Sequence, residues 1–308
     1  MVTRSSTLEL SKTREFLPGR KIEFVLERFS FLEFWRLQSD KDKVTTFEAD
    51  ELAALNDFYQ AYYSRLEDAF TEYLTWGGYP EVVLIKGKHK KETMLKNILN
   101  TYLEKDVSAL FHLQNISNFN KLIRLLASQV GELLNKKELS STLSMHFHTL
   151  VSYLDLLSGT FVFDLVTPFF SNVRKELSKM PKVFARDLGI IQCVRPDFFM
   201  DYTLIDGHRV ENFVYRHLLE HFDTSDIHFY RKRGGAEIDF VVTSATGYIL
   251  IEVKFRKGRQ LKPPRAMETF KELYGDRVHR RIVVTQDYLA HKGKCLFIPA
   301  PLFPFLNF

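Results

Sequence analysis

Between Gly234 and Lys254 the chain carries two β-rich runs joined by Ser244-Ala-Thr-Gly247, and few backbones accommodate both. Ile238, Phe240 and Val242 alternate with Glu237, Asp239 and Val241, the period-2 pattern of a strand. Tyr248 to Lys254 is the second run. A hairpin with Ala245 and Thr246 as its two loop residues is the common way to join such runs. In that register Asp239 lies opposite Glu252, and Glu237 opposite Lys254, with paired residues on one face. Carboxylates whose Cβ atoms are about 4.5–5.5 Å apart repel each other. A divalent cation between them reverses that penalty, because hard cations take oxygen ligands. The stretch therefore reads as a metal site with a lysine beside it.

The rest of the chain sets the context. With 308 residues there is room for a sizeable core and for two or three small domains. The hydrophobic share of 45% and charged share of 26% are those of a globular protein rather than a disordered one. A net charge of +5 admits a polyanion as partner without demanding one. Cys193 and Cys295 lack CxxC spacing and read as reduced core thiols of a cytoplasmic protein. No apolar run reaches membrane-spanning length and no signal peptide is evident, so no membrane association is expected.

Along the chain, Ile22 to Leu26 alternates like a strand. Ser30 and Glu33 have capping-box spacing at the start of a helix. Leu52, Leu55, Phe58, Tyr59, Tyr62, Tyr63 and Leu66 form a helical stripe. Trp76-Gly-Gly-Tyr-Pro80 is a sharp break, and Thr93 to Leu110 is periodic again. Asp106 near its end reads as part of a solvated face.

Residues 119–170 have the order of a winged helix: Leu122–Val130, Lys137–Leu143 and Met145–Leu157 as helices, then a strand over Phe161–Val166. On the third helix Leu150, Leu154 and Leu157 face inward. His146, His148, Thr149, Ser152 and Tyr153 are the candidates for its outer face, with His148 and Ser152 as nucleic-acid contacts. The alternative is that this module packs on a neighbour and touches no DNA. Pro181 to Gly189 reads as a strand and turn.

Beyond about residue 201 the expected order is helix (Val210–Phe222), strand (Ile227–Tyr230), the hairpin, helix (Arg265–Leu273) and strand (Arg281–Thr285). That order implies an α/β/α sandwich around a mixed sheet. Glu211 sits at the margin of the first helix's apolar stripe, where a carboxylate needs a partner. Arg231, Lys232 and Arg233 before the hairpin, and Arg256 and Lys257 after it, are placed to grip a phosphate backbone. As bare charge runs they are more often a solvated face.

Helix Glu, strand Asp and Glu-x-Lys on the next strand together resemble the PD-(D/E)XK nuclease superfamily. The resemblance implies that Asp239 and Glu252 hold Mg²⁺, with the Val253 carbonyl as a further ligand and Glu211 completing or supporting the shell. Lys254 would orient or help activate the attacking water. The superfamily also contains members that kept the fold and lost cleavage.

A wider resemblance covers nearly the whole chain. Ser5-Ser-Thr-Leu-Glu-Leu-Ser, Gly77-Gly-Tyr-Pro-Glu81, Tyr102-Leu-Glu-Lys-Asp106, Lys179-Met-Pro-Lys-Val-Phe, Asp187-Leu-Gly189, Val210-Glu-Asn-Phe-Val and Ala236-Glu-Ile-Asp-Phe occur in that order. They look like the C-terminal part of a prokaryotic family of AAA-class ATPases with a C-terminal domain of unknown function. This chain has neither a GxxxxGK[ST] phosphate loop nor an acidic Walker B strand. No ATP site is expected in it, and it reads as beginning inside the ATPase domain.

The expected organisation is thus a remnant of that domain (1–35), a helical linker domain (36–118), a winged-helix-like domain (119–200) and a restriction-endonuclease-like α/β/α domain (201–308). The expected function is that of a DNA-binding protein with a Mg²⁺-dependent nuclease-like domain. The alternative is an inactive, truncated ATPase-family protein acting as a DNA- or protein-binding module, with a separate ATPase subunit as a partner.

Overall fold

Ser30 and Glu33 cap the first helix as their spacing predicts. Ser30 Oγ accepts the Glu33 N–H at 3.1 Å, and Glu33 Oε2 accepts the Ser30 N–H at 2.8 Å, so two otherwise unpaired donors are satisfied reciprocally. This helix, α1 (Phe31–Gln38), lies in a computed structural model that describes residues 26–38, 46–102, 116–170, 179–194, 201–232, 235–257 and 261–308. The strand expected over Ile22–Leu26 falls almost wholly outside those residues, as do Arg233 and Asp106.

The chain is mixed α/β, with a helical N-terminal half and a C-terminal mixed sheet of six strands. In α2 (Leu52–Trp76) Leu55, Tyr59 and Leu66 are buried as expected, whereas Tyr63 is exposed. The break after Trp76 has a packing cause. Gly77 takes φ +73°, and a Cβ on Gly78 would lie 2.2 Å from the Phe29 carbonyl oxygen. The buried Asp187 carboxylate accepts the N–H groups of Gly78 and Gly189, each at 2.8 Å. Pro80 then opens the short α3 (Pro80–Val83), where its missing N–H costs nothing. The next helix, α4 (Lys88–Thr101), begins five residues before the expected Thr93.

Three helices follow in the expected winged-helix order: α5 (Ile116–Ser128), α6 (Lys136–Thr142) and α7 (Phe147–Gly159). Strands β1 (Phe163–Val166) and β2 (Lys182–Ala185) then pair antiparallel. Leu150, Leu154 and Leu157 of α7 face the core. Tyr153 does not face outward: it is buried with its ring 5.1 Å from Phe119. His146 is the N-cap residue rather than part of the helix. After β2 comes α8 (Leu188–Val194).

In the C-terminal part Asp206 caps α9 (Gly207–Leu218) by accepting the Arg209 N–H. Then come β3 (Ile227–Arg231), β4 (Glu237–Ser244), β5 (Gly247–Lys254), α10 (Arg265–Tyr274), β6 (Val278–Thr285), β7 (Ala290–Lys292) and β8 (Cys295–Pro299). The sheet order is β3-β4-β5-β6-β8-β7, with β5/β6 and β6/β8 parallel and the other pairs antiparallel. Phe213, Val214 and Leu218 of α9 share a core with Phe240, Ile251, Ile282 and Ile298. Met267 and Phe270 of α10 cover the other face with Ile238, Leu250, Val283 and Phe297. That is the expected α/β/α layering. The α9-side core is continuous with the helical half: Phe184 of β2 stacks on Tyr215 of α9, ring centroids 4.7 Å apart. Residues Thr167–Phe169 run beside β3, with Phe169 N–H donating to the Phe229 carbonyl and Phe229 N–H to that of Thr167. Both cysteines are free, Cys295 buried and Cys193 partly so. Among the described residues no helix is long and apolar enough to cross a membrane.

Candidate metal centre at the open end of a hairpin

The hairpin forms in the expected register. Ser244 pairs with Gly247 across Ala245 and Thr246, and the ladder continues to Phe240↔Ile251. It then gives way to side chains. Asp239 Oδ2 accepts the Val253 N–H at 2.8 Å, and the Asp239 N–H in turn favours the ionised form of Glu252. Side-chain carboxylates thus replace the next backbone bonds of the ladder.

The expected simple alternation in β4 does not hold. Pairing with β3 shifts by one residue between His228 and Tyr230, a bulge of the kind that re-aims side chains. Ile238 packs on the α10 side while Phe240 packs on the α9 side, 5.4 Å from Phe184. Asp239 also points toward β2 and α9, within reach of Lys182.

The structure brings Glu211, Asp239, Glu252 and Lys254 together and adds two residues. Lys182 of β2 is one of them. Its Nζ lies 2.8 Å from Glu237 Oε1, 3.5 Å from Asp239 Oδ1 and 3.7 Å from Glu211 Oε2, with only 5% of the side chain exposed. Glu237 is the other, although hairpin pairing alone set it against Lys254. Lys254 Nζ instead donates to Glu252 Oε1 at 3.0 Å. The backbone of Gly131 approaches Glu211 so closely that a Cβ there would lie 3.1 Å from Oε2, and its φ is +82°.

Burial dominates the electrostatics. It pushes the Asp239 carboxyl up to about 8, helped by the negative charges of Glu211 and Glu252 and opposed by Lys182 and the Val253 N–H. Glu252 is likewise raised by burial, with Lys254 pulling the other way. Lys182 is raised: burial disfavours its charge, but Glu211, Asp239 and Glu237 together outweigh that cost.

With all four carboxylates ionised, the two ammonium groups leave two negative charges over, offset in part by Arg231 beside Glu237 and, when protonated, His208 beside Glu211. Glu211 Oε2 and Glu252 Oε2 are buried without a hydrogen-bond donor. Both features fit a divalent cation, since an ionised buried oxygen needs a positive partner. The arrangement is not a ready three-carboxylate cage, because Lys182 stands among the acids. Val253 contributes its N–H to Asp239.

The expected nucleic-acid contacts fall into two groups, one bordering this cluster and one on α7. Arg231, Lys232, Arg256 and Lys257 are exposed at the hairpin's base, with Arg231 Nε 3.8 Å from Glu237. His148 and Ser152 are exposed on α7, where Ser152 Oγ donates to the His148 carbonyl. The sequence did carry a signal for Lys182: it is the one charged residue in the strand Lys-Val-Phe-Ala, all four residues of which are buried.

Residues 67–198 match a domain of unknown function, DUF8612, and residues 206–303 match another, DUF4143. An uncharacterized protein of Haemophilus influenzae is 28% identical over 88% of this chain and 61% of its own length. One from Methanocaldococcus jannaschii is 24% identical over 93% of this chain and 62% of its own. One from Mycobacterium tuberculosis is 24% identical over 54% of this chain and 38% of its own. The chain thus spans about three fifths, or less, of the length of these relatives. No solved structure matches it significantly.

Proposed function

We propose that this chain is a DNA-binding protein whose hairpin end carries a Mg²⁺-dependent, PD-(D/E)XK-like centre for phosphodiester hydrolysis. The observation behind this reading is the pair of buried carboxylate oxygens without donors, Glu211 Oε2 and Glu252 Oε2, within a cluster of four acids and two ammonium groups. Asp239 and Glu252 would hold the ion, with the Val253 carbonyl as a backbone ligand and Glu211 supporting the shell. When bound, Mg²⁺ supplies charge neutralisation at the phosphate and a more acidic water. Lys254, 30% exposed and anchored by Glu252, orients that water. Lys182 fixes Asp239 and Glu237. Arg231, Lys232, Arg256 and Lys257 take the flanking phosphates, and α7 presents His148 and Ser152 to the duplex. The domain matched by residues 206–303 is found as the C-terminal part of AAA-ATPase-like proteins, which makes a separate ATPase subunit the protein partner in this proposal.

A second reading has its own support. Lys182 already lies among Glu211, Glu237 and Asp239 and satisfies part of their charge without metal. A module with that cation built in would bind DNA or an ATPase-family partner and cleave nothing.

The deciding experiment incubates the purified chain with supercoiled, linear and single-stranded DNA in Mg²⁺ or Mn²⁺, beside Asp239→Asn, Glu252→Gln and Lys254→Met. Cleavage lost in all three variants supports hydrolysis. Intact DNA together with no calorimetric Mg²⁺ binding eliminates it. DNA or partner binding that the three substitutions leave unchanged would then mark the second reading.

A further inference from the structure

We infer that His217, Glu220 and His221, where α9 ends, form a separate binding site for a borderline transition-metal ion, Zn²⁺ in the first instance. Among the described residues this is the set of three metal-ligating side chains whose donor atoms all lie within 4.8 Å of one another. The local backbone produces it. Beyond Leu218 the helix tightens: Glu220 N–H donates to the His217 carbonyl and His221 N–H to that of Leu218. In such i→i+3 turns side chains three apart nearly eclipse. His217 Nδ1 and Glu220 Oε2 are 3.2 Å apart, and the two imidazole rings lie 4.9 Å apart at 71°.

That spacing suits one ion. Two ligands each about 2.0–2.1 Å from a tetrahedral Zn²⁺ stand about 3.3 Å from each other. Two imidazoles and one carboxylate are a zinc donor set with a fourth position left open. A helix C-terminus favours a cation.

His217 is 2% exposed and is the buried member of the set; its Nδ1, the nitrogen that faces Glu220, is the donor this spacing offers. Around the rings stand Phe303, 5.4 Å from His217, and Phe308, 5.5 Å from His221, an apolar shell that lowers the local dielectric. Arg216 Nη1 lies 3.6 Å from Glu220 Oε1 and holds the oxygen that the ion does not need. Glu220 and His221 also line an open cleft of about 520 Å³ with Asp223 and Asp226, which gives the ion a path in and the fourth position access to water.

The site is independent of the Asp239 centre in both chemistry and test. Tag-free full-length chain is titrated with Co²⁺, read by the visible absorption of a tetrahedral ion, and with Zn²⁺ by calorimetry. The same titrations are run on His221→Ala, Glu220→Gln and Asp239→Asn, with circular dichroism to confirm folding. The expected result is one Zn²⁺ per chain, at least about tenfold weaker in His221→Ala and Glu220→Gln and unchanged in Asp239→Asn. No tetrahedral Co²⁺ spectrum in the wild-type chain would overturn the proposal. So would undiminished affinity in Glu220→Gln, which preserves side-chain volume and lies outside the core. Affinity lost only in Asp239→Asn would place the metal at the other centre and overturn it equally.

Discussion

Lys182 Nζ lies 3.5 Å from Asp239 Oδ1, although the two residues are 57 positions apart and belong to different sheets. Lys182 sits on the two-stranded sheet that follows the three-helix unit, and Asp239 sits on the six-stranded sheet. In the metal-free state the ammonium pairs with Asp239 and, together with His208, with Glu211.

Removing that ammonium should therefore unbalance the site. Lys182→Met leaves buried acids without their cation and is expected to cost about 3–5 kcal/mol in the absence of metal. It also removes the competitor for a divalent ion, so the stabilisation gained on adding Mg²⁺ should be larger in the variant than in the wild type. Urea denaturation with and without Mg²⁺ measures both quantities. A Mg²⁺ gain no larger than that of the wild type would show that Lys182 and the ion do not share the same carboxylates.

The acids at the hairpin end give the metal-free protein a definite pH dependence. Folding raises Asp239 to about 8, whereas an unfolded aspartate titrates near 3.9. The folded state therefore binds more protons than the unfolded state across that interval, so stability falls as pH rises from about 4 to about 8 and levels off above it. Glu252, also raised, adds to the same slope. Asp239→Asn should flatten the profile, and saturating Mg²⁺ should reverse the loss at the alkaline end. Thermal unfolding at a series of pH values tests this, and a wild-type profile that rises through neutral pH would contradict it.

The glycine pair after α2 should tolerate no side chain. A Cβ at position 78 would lie 2.2 Å from the Phe29 carbonyl oxygen, which is backbone and has little freedom to move. Gly78→Ala is expected to destabilise the fold by about 1–3 kcal/mol or more. Gly87→Ala, with nothing within 4 Å of the added carbon but φ +101°, should cost only its backbone strain. Chemical denaturation of the two variants side by side separates close packing from backbone strain.

If the exposed cations at the hairpin base meet phosphates, they should act through counterion release. Arg256→Ala and Lys257→Ala are each expected to weaken DNA binding for all sequences alike and to lower the salt-dependence slope by about one. His148→Ala on α7 should change sequence preference more than the slope. Fluorescence anisotropy across a salt series reads both, and unchanged slopes would return these residues to the role of a solvated face.

What the sequence made legible was local. The hairpin register follows from a two-residue turn and the Ser30/Glu33 cap from a three-residue spacing; the cap formed as read, and the register held from Ser244↔Gly247 to Phe240↔Ile251. Non-local features left weaker traces. The bulge that turns Asp239 toward Lys182 depends on β3 pairing, which no spacing within β4 reveals. Lys182 shows in the sequence only as the charged residue of a short apolar strand, because its partners lie at 211, 237 and 239. Strand β8 reads as an apolar run of only five residues, Cys-Leu-Phe-Ile-Pro, which periodicity cannot separate from a helix segment. Tyr153 is covered by Phe119, a contact that helical phase alone does not reveal.

The run of Thr167–Phe169 beside β3 bears on how anything can attach to this molecule. An outermost strand offers its unpaired N–H and C=O groups as a template for further strands. Here Phe229, in the middle of β3, spends both of its outward groups on Thr167 and Phe169. At the opposite margin β7 has only three residues, and its His291 ring is already bonded to the Ala49 carbonyl. Among the described residues the middle of β3 is thus closed to strand addition, and the three-residue β7 offers only a short template at the other margin.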